Sequence, residues 1–178
     1  MPNYLISFNF KVHYNLLPVR SKFTDFRLDN NSRCPFCNLN FETLFHLMGK
    51  CTKLGIVWDL MDELMALMNI DYRFSIKRKH ENEFEVMTIK PPGTGFNIVY
   101  YLTTIINYHL WKFRNRCVHE GKQFDCKILI GKLIKSIGAR KRLQQSPNIT
   151  DDRKVDRIDF LLDNLIFLYN ISFSFDNG

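Results

Sequence analysis

The sequence predicts a mainly α-helical protein in two parts, a small lobe followed by a helical bundle. Three observations carry this reading. Apolar residues recur at three- and four-residue steps in several segments, which is the helical period. Three of the five cysteines and one of the five histidines crowd into one short stretch, Cys34 to Cys51. Between the halves, Pro91-Pro92-Gly93 and Gly95 break any regular element and mark the domain boundary. The parts are therefore residues 1–69, a linker over 70–95, and residues 96–178. With 178 residues, 46% of them hydrophobic and sixteen Phe, the chain can bury a substantial core.

The crowded stretch has the spacing C-x2-C-x8-H-x4-C: Cys34, Cys37, His46 and Cys51. Thiolates and an imidazole in this number and spacing suit Zn²⁺, which takes four such ligands in a tetrahedron. Pro35 stiffens the turn between the first two cysteines. Asn40 is placed to cap a short helix carrying Glu42 and His46, and Gly49 lets the chain turn toward Cys51. Buried free thiols beside a hydrogen-bonded histidine are the plainer alternative. A disulfide framework fits poorly, because the cysteine count is odd and no secretory signal is expected. Four protein ligands leave no open position, so the ion is expected to be structural.

In the first part, a helix is expected to end near Asn15, with Pro18 in the break and a second short helix from Val19 to Leu28. Thr52 is placed to cap a helix reaching Asn69. Trp58, Met61, Leu64, Met65 and Met68 line its apolar face, with Asp59, Asp62 and Glu63 on the opposite side. That Met-rich face reads as core, with an adaptable binding surface as the alternative. A basic run from Arg73 to His80 reads as a solvated loop.

Three helices fit the second part. The first, from about Phe96 to Val118, is apolar around most of its circumference and should sit centrally; Gly121 follows its end. The second, Asp125 to about Leu143, puts Leu129, Ile130, Leu133, Ile134 and Ile137 on one face and Lys127, Lys132, Lys135 and Arg142 on the other. Ser146-Pro147-Asn148 breaks it. The third starts at Thr150 and has Asp151, Asp152, Asp156, Asp159 and Asp163 interleaved with Arg153, Lys154 and Arg157, a self-paired solvated face rather than a two-metal site.

The net charge of +7 is unevenly placed. Ten Lys/Arg against Glu120 and Asp125 fall between Trp111 and Arg142, so this segment carries the whole excess. Such a focus favours a polyanionic partner, nucleic acid above all, with a solvated helix surface as the alternative; the partner expected is RNA or single-stranded DNA. The longest apolar stretch, Ile98 to Trp111, is too short and too polar to span a membrane. Reduced cysteines point to the nucleus or cytoplasm.

The order FNFKVHYNLLPVRSKFTDFRL, CPFC, FETLFHLMGKC and VWDLM, over residues 8–61, resembles the zinc-binding region that follows the polymerase in non-LTR retrotransposon reverse transcriptases. The resemblance implies Cys34, Cys37, His46 and Cys51 as ligands, and a region that grips template RNA or target DNA. The chain has no Tyr-x-Asp-Asp motif, so polymerase activity does not carry over. It would be a fragment of such an element or a host protein descended from one.

Leu110-Trp111-Lys112-Phe113-Arg114-Asn115-Arg116-Cys117-Val118-His119 resembles the Arg-Asn-x3-His motif of HEPN ribonucleases, helical proteins that cleave RNA without metal and usually as dimers. That resemblance implies Arg114, Asn115 and His119 as catalytic residues: Arg114 would stabilise transition-state charge and His119 would move the 2′-hydroxyl proton. In an uninterrupted helix Arg114 and His119 point about 140° apart, so they need a helix end or a second protomer to converge. The alternative has Arg114 and Arg116 binding phosphate or acidic side chains, with His119 capping the helix.

The leading expectation is thus a non-catalytic, zinc-stabilised nucleic-acid-binding module. Arg33 and Lys50 would edge the metal loop, and Lys112, Arg114, Arg116, Lys127, Lys132 and Lys135 would meet phosphates. Phe36 or Phe41 would stack on unpaired bases or pack over the metal. The alternatives are the HEPN-like endoribonuclease and an adapter that binds a protein partner through its Met-rich or basic helix.

Overall fold

The protein is described by a computed structural model over residues 1–23, 32–74, 98–144 and 152–174. It is mostly helical, and no strand occurs among these residues; one isolated bridge joins Arg33 to Phe41. The long helices are α1 (Asn3–His13), α2 (Gly55–Leu67), α3 (Ile98–Glu120), α4 (Cys126–Gln144) and α5 (Asp152–Ser174).

Asparagine ends the first two helices by the same device. Asn15 takes φ 51°, its N–H bonds Val12 O and the Leu16 N–H reaches back to Lys11 O. Asn69, at φ 51°, does likewise, with its N–H on Ala66 O and that of Ile70 on Met65 O. In both turns two otherwise orphaned carbonyls are satisfied, and asparagine tolerates the left-handed backbone they require. Gly121, at φ 65°, follows α3. Asp125 caps α4: its carboxylate accepts the Lys127 and Ile128 N–H groups.

Helix α3 is central. α1 lies along its first half, with Leu5, Phe8 and Val12 buried, and Asn9 donates to the Tyr100 hydroxyl at 3.0 Å. α4 packs on α3 and on α5, and α2 packs on both α4 and α5. Buried side chains from both predicted parts form one continuous core. They do so because the apolar faces of α1 and α2 find their partners in α3 and α5. Of the predicted linker, 75–95 lies outside the described residues.

Other expectations change locally. α2 starts at Gly55 after a tight turn, Thr52–Leu54, and Thr52 makes no side-chain cap. The Met-rich face is core: Met61, Leu64 and Met65 are fully buried. Asp62 is not on the outer side. It lies one turn from Trp58 on the buried face, and its carboxylate accepts the Phe74 N–H. Of the predicted Val19–Leu28 helix only a short turn, Arg20–Lys22, is described, and residues 24–31 lie outside the described part. The breaker at 146–148 and the cap at Thr150 also lie outside it.

Ile106 is fully buried on α3. Truncation there leaves a cavity that the central helix cannot collapse around. Ile106→Ala is expected to lower stability by about 2–5 kcal/mol in urea unfolding. A loss below half a kcal/mol would contradict the central placing of α3.

Candidate metal centre and basic face

Residues 32–42 form a tight loop that presents the first two cysteines. The Cys34 N–H bonds Asn40 O at 2.7 Å and the Asn38 N–H bonds Cys34 O at 2.8 Å, with Asn38 at φ 56°. Thr43, rather than the predicted Asn40, caps the following turn, because its hydroxyl accepts the His46 N–H at 3.0 Å. From His46 to Lys50 the helix widens, and the Cys51 N–H closes on His46 O, five residues back, at 2.8 Å. An i→i+5 closure is uncommon outside functional sites. Here it brings two ligands five residues apart to the same place.

The result is a buried set of four. The donor atoms of Cys34, Cys37, His46 and Cys51 all lie within 4.8 Å of one another. Cys34 Sγ and Cys51 Sγ are 3.9 Å apart, and Cys37 Sγ is 3.4 Å from His46 Nε2. A tetrahedral ion with metal–sulfur bonds of about 2.3 Å and metal–nitrogen bonds of about 2.0 Å separates two sulfurs by about 3.8 Å and sulfur from nitrogen by about 3.5 Å. The spacing fits, and these four residues can hold a metal ion.

The protons in this cluster are already shared. The hydrogen bond from Cys51 brings the Cys34 thiol down to about 4, against the opposing effect of burial. Cys51, as the donor in that bond and buried, is pushed well up. His46 is raised, chiefly by its interaction with Cys34. A metal needs all three sulfurs as thiolates and the imidazole neutral, so acid competes with it for this set.

Glu42 anchors the loop to α3. Its carboxylate is fully buried and accepts Arg114 Nε at 2.6 Å and Arg114 Nη2 at 3.0 Å; the Arg20 N–H also donates to it at 3.0 Å. Arg114 is itself 6% exposed, gives a third bond to Asn115 Oδ1 and lies over the Trp111 ring at 4.9 Å. Two parallel bonds between a guanidinium and a carboxylate form the strongest side-chain pairing available to a buried charge. Arg114 is therefore withdrawn from any row of exposed phosphate ligands. His119 is exposed near the C-terminal end of α3. The expectation left open that Arg114 binds an acidic side chain, and Glu42 is that partner.

Aromatic rings connect the loop to the basic face. Phe36, between the first two cysteines, is buried against Phe124 with ring centres 4.3 Å apart, so it packs rather than awaits a base. Phe124 meets Phe113 at 5.3 Å. Arg116 and Lys132 lie 5.5 and 5.3 Å from the Phe113 ring centre, and Lys112 lies 5.6 Å from that of Tyr108. Lys112, Arg116 and Lys132 are thus gathered across α3 and α4. Arg116 also pairs with Glu120 one turn on, at 3.5 Å. Lys135 is exposed and Lys127 half-buried on α4. Around the metal loop Arg33, Lys50 and Phe41 are exposed, with Lys50 over the Phe45 ring at 4.6 Å.

Sequence reading missed Glu42 as an anchor, Phe124 as a spacer, and His109. Arg114 signals the first, since it falls four residues after the buried Leu110 on the apolar side of α3. His109 Nε2 meets Ser136 Oγ at 2.7 Å. Burial, with Lys112 and Lys132 nearby, brings its pKa down to about 4.

No protein-family model, curated protein or solved structure matches this chain.

Two predictions follow from the geometry. Arg114→Ala strands a buried carboxylate and should cost about 3–5 kcal/mol in equilibrium unfolding, with much of that recovered when Glu42→Leu accompanies Arg114→Leu. Equal losses in the single and double variants would contradict the anchoring role. For His109, the folded-state pKa is below the unfolded one, so the unfolded chain binds the extra proton between about pH 6.5 and pH 4. Its contribution is complete above pH 6.5 and is lost as pH falls through that window. The His109→Gln variant should therefore show a flatter decline of Tm there than the parent; parallel curves would refute the shift.

Proposed function

We propose that this protein is a non-catalytic RNA-binding module in which zinc holds an N-terminal loop against a basic helical face. The observation that carries the reading is the gathering of Lys112, Arg116 and Lys132 across α3 and α4 on aromatic supports, of which Phe113, under Arg116 and Lys132, is tied through Phe124 to the metal loop. Zinc is the ion of choice for three thiolates and an imidazole in a closed tetrahedron. Such a site contributes folding energy rather than chemistry, and its ligands persist as thiolates in a reducing compartment, the nucleus or cytoplasm. The likeness of residues 8–61 to the zinc-binding region of non-LTR retrotransposon reverse transcriptases supports a nucleic-acid role, in a piece or a descendant of such a protein. Among the described residues no helix is long and apolar enough to cross a membrane.

Lys127 and Lys135 extend the cationic face along α4, and Arg33 and Lys50 stand at the metal loop. Phe41, 69% exposed beside Arg33, is the aromatic available to stack on an unpaired base. Phosphate contacts of this kind give affinity with little sequence choice and weaken with salt as counterions are no longer released to advantage.

Binding of unstructured RNA, or of single-stranded DNA, should fall steeply with added salt and weaken at least tenfold when Lys127, Lys132 and Lys135 are neutralised together, about three phosphate contacts being lost. Filter binding at fixed ionic strength measures both. Unchanged retention by the triple variant would remove the proposal. Metal analysis of the purified chain should give one zinc per molecule, abolished in Cys34→Ser together with Cys37→Ser.

A further inference from the structure

The charged groups within electrostatic reach of the Lys132 ammonium, among the described residues, are Arg116, Lys112 and Glu120. They stand on a fixed floor. Phe113, 1% exposed, carries both Lys132 and Arg116, and is itself held by Phe124. Tyr108 carries Lys112 and packs between the Tyr4 and Phe8 rings of α1, at 5.2 and 5.4 Å. Cations supported in this way lose less side-chain entropy on meeting a ligand than lysines on a free helix surface.

Charge balance narrows what the cluster takes. Three cations face one carboxylate, leaving +2. Glu120 engages only Arg116 Nε, so the two terminal nitrogens of that guanidinium keep their donors. His109 lies beside Lys112 and Lys132 and stays neutral at pH 7, adding no further charge. A phosphodiester inside a nucleic-acid strand carries a single negative charge, and one such group leaves this cluster under-compensated. A phosphomonoester carries about −1.5 to −2 at neutral pH and three acceptor oxygens. A dianion with three acceptors is the better match to three neighbouring cations, two of them over the one Phe113 ring.

We infer that Lys112, Arg116 and Lys132 form a subsite for the terminal phosphomonoester of a nucleic-acid strand, so that the protein prefers phosphorylated ends to internal backbone. This rests on the nucleic-acid reading above and specifies which part of the strand seats between α3 and α4. The end phosphate is the dianion, 5′ or 3′, that anchors the strand. The remaining cations, Lys127 and Lys135 along α4, then follow the backbone away from it.

The test compares one short RNA in three forms, with a 5′-phosphate, with a 3′-phosphate, and with hydroxyls at both ends, by fluorescence anisotropy with the full chain at one salt concentration. At least one phosphorylated form should bind about tenfold tighter than the hydroxyl form, the gain expected from a charge-assisted contact. Inorganic phosphate should erase that gain and leave the residual affinity in place. The Lys112→Gln/Lys132→Gln variant should lose the preference while keeping its zinc content and thermal transition. Equal binding of all three forms overturns the end-phosphate inference and leaves the nucleic-acid reading standing. Absence of binding to every form overturns both. A preference that survives in the double variant overturns the assignment to this cluster.

Discussion

The buried pair of Glu42 and Arg114 is the constraint on which the remaining structure depends. It ties the metal loop, at a point between its ligands, to the midpoint of the basic stretch on α3. A carboxylate with no exposed surface is tolerated only when its charge and its lone pairs are both taken up. Arg114 supplies two donors and the Arg20 backbone a third. The pair also fixes rotation. With Arg114 turned inward, Lys112 and Arg116, two residues away on either side, are turned toward the outer flanks of the helix, where α4 brings Lys132 to meet them.

Metal binding and surface chemistry are linked through the same contact region. Phe36 sits in the cysteine turn and leans on Phe124, which leans on Phe113, the ring under Arg116 and Lys132. The loop joins the shared core through Phe36, Leu44, Phe45, Leu47 and Met48, and a metal held by the four ligands would add folding energy to that packing. The loop then acts as a rigid pad beneath the end of α3. A metal held there would steady the geometry from which the cations project.

The Arg-Asn-x3-His stretch shows how far a short motif depends on an environment outside it. Arg-Asn-x3-His asks for two polar side chains facing a common substrate. Here the arginine is consumed by Glu42, 72 residues earlier in the chain, and the histidine remains outside. The apolar faces of α1 and α2, too, find their partners far along the chain, on α3 and α5.

What the sequence determined by itself is whatever local chemistry decides. The helical periods placed α2, α3 and α4 within a few residues of their observed bounds. Asn15, Asn69, Gly121 and Asp125 ended or began helices because their backbone or side-chain chemistry suits those positions. The C-x2-C-x8-H-x4-C spacing sufficed to name four ligands that do converge. Tertiary structure alone decided which charges are spent and which are offered. Arg114 and Arg116 are indistinguishable by type and differ by two positions, about 200° around a helix. One is buried on a carboxylate and the other stands beside Lys132. Long-range pairing chose between them, because a guanidinium's role depends on what lies opposite it, and Glu42, Phe124 and Lys132 reach their places only when the chain has folded.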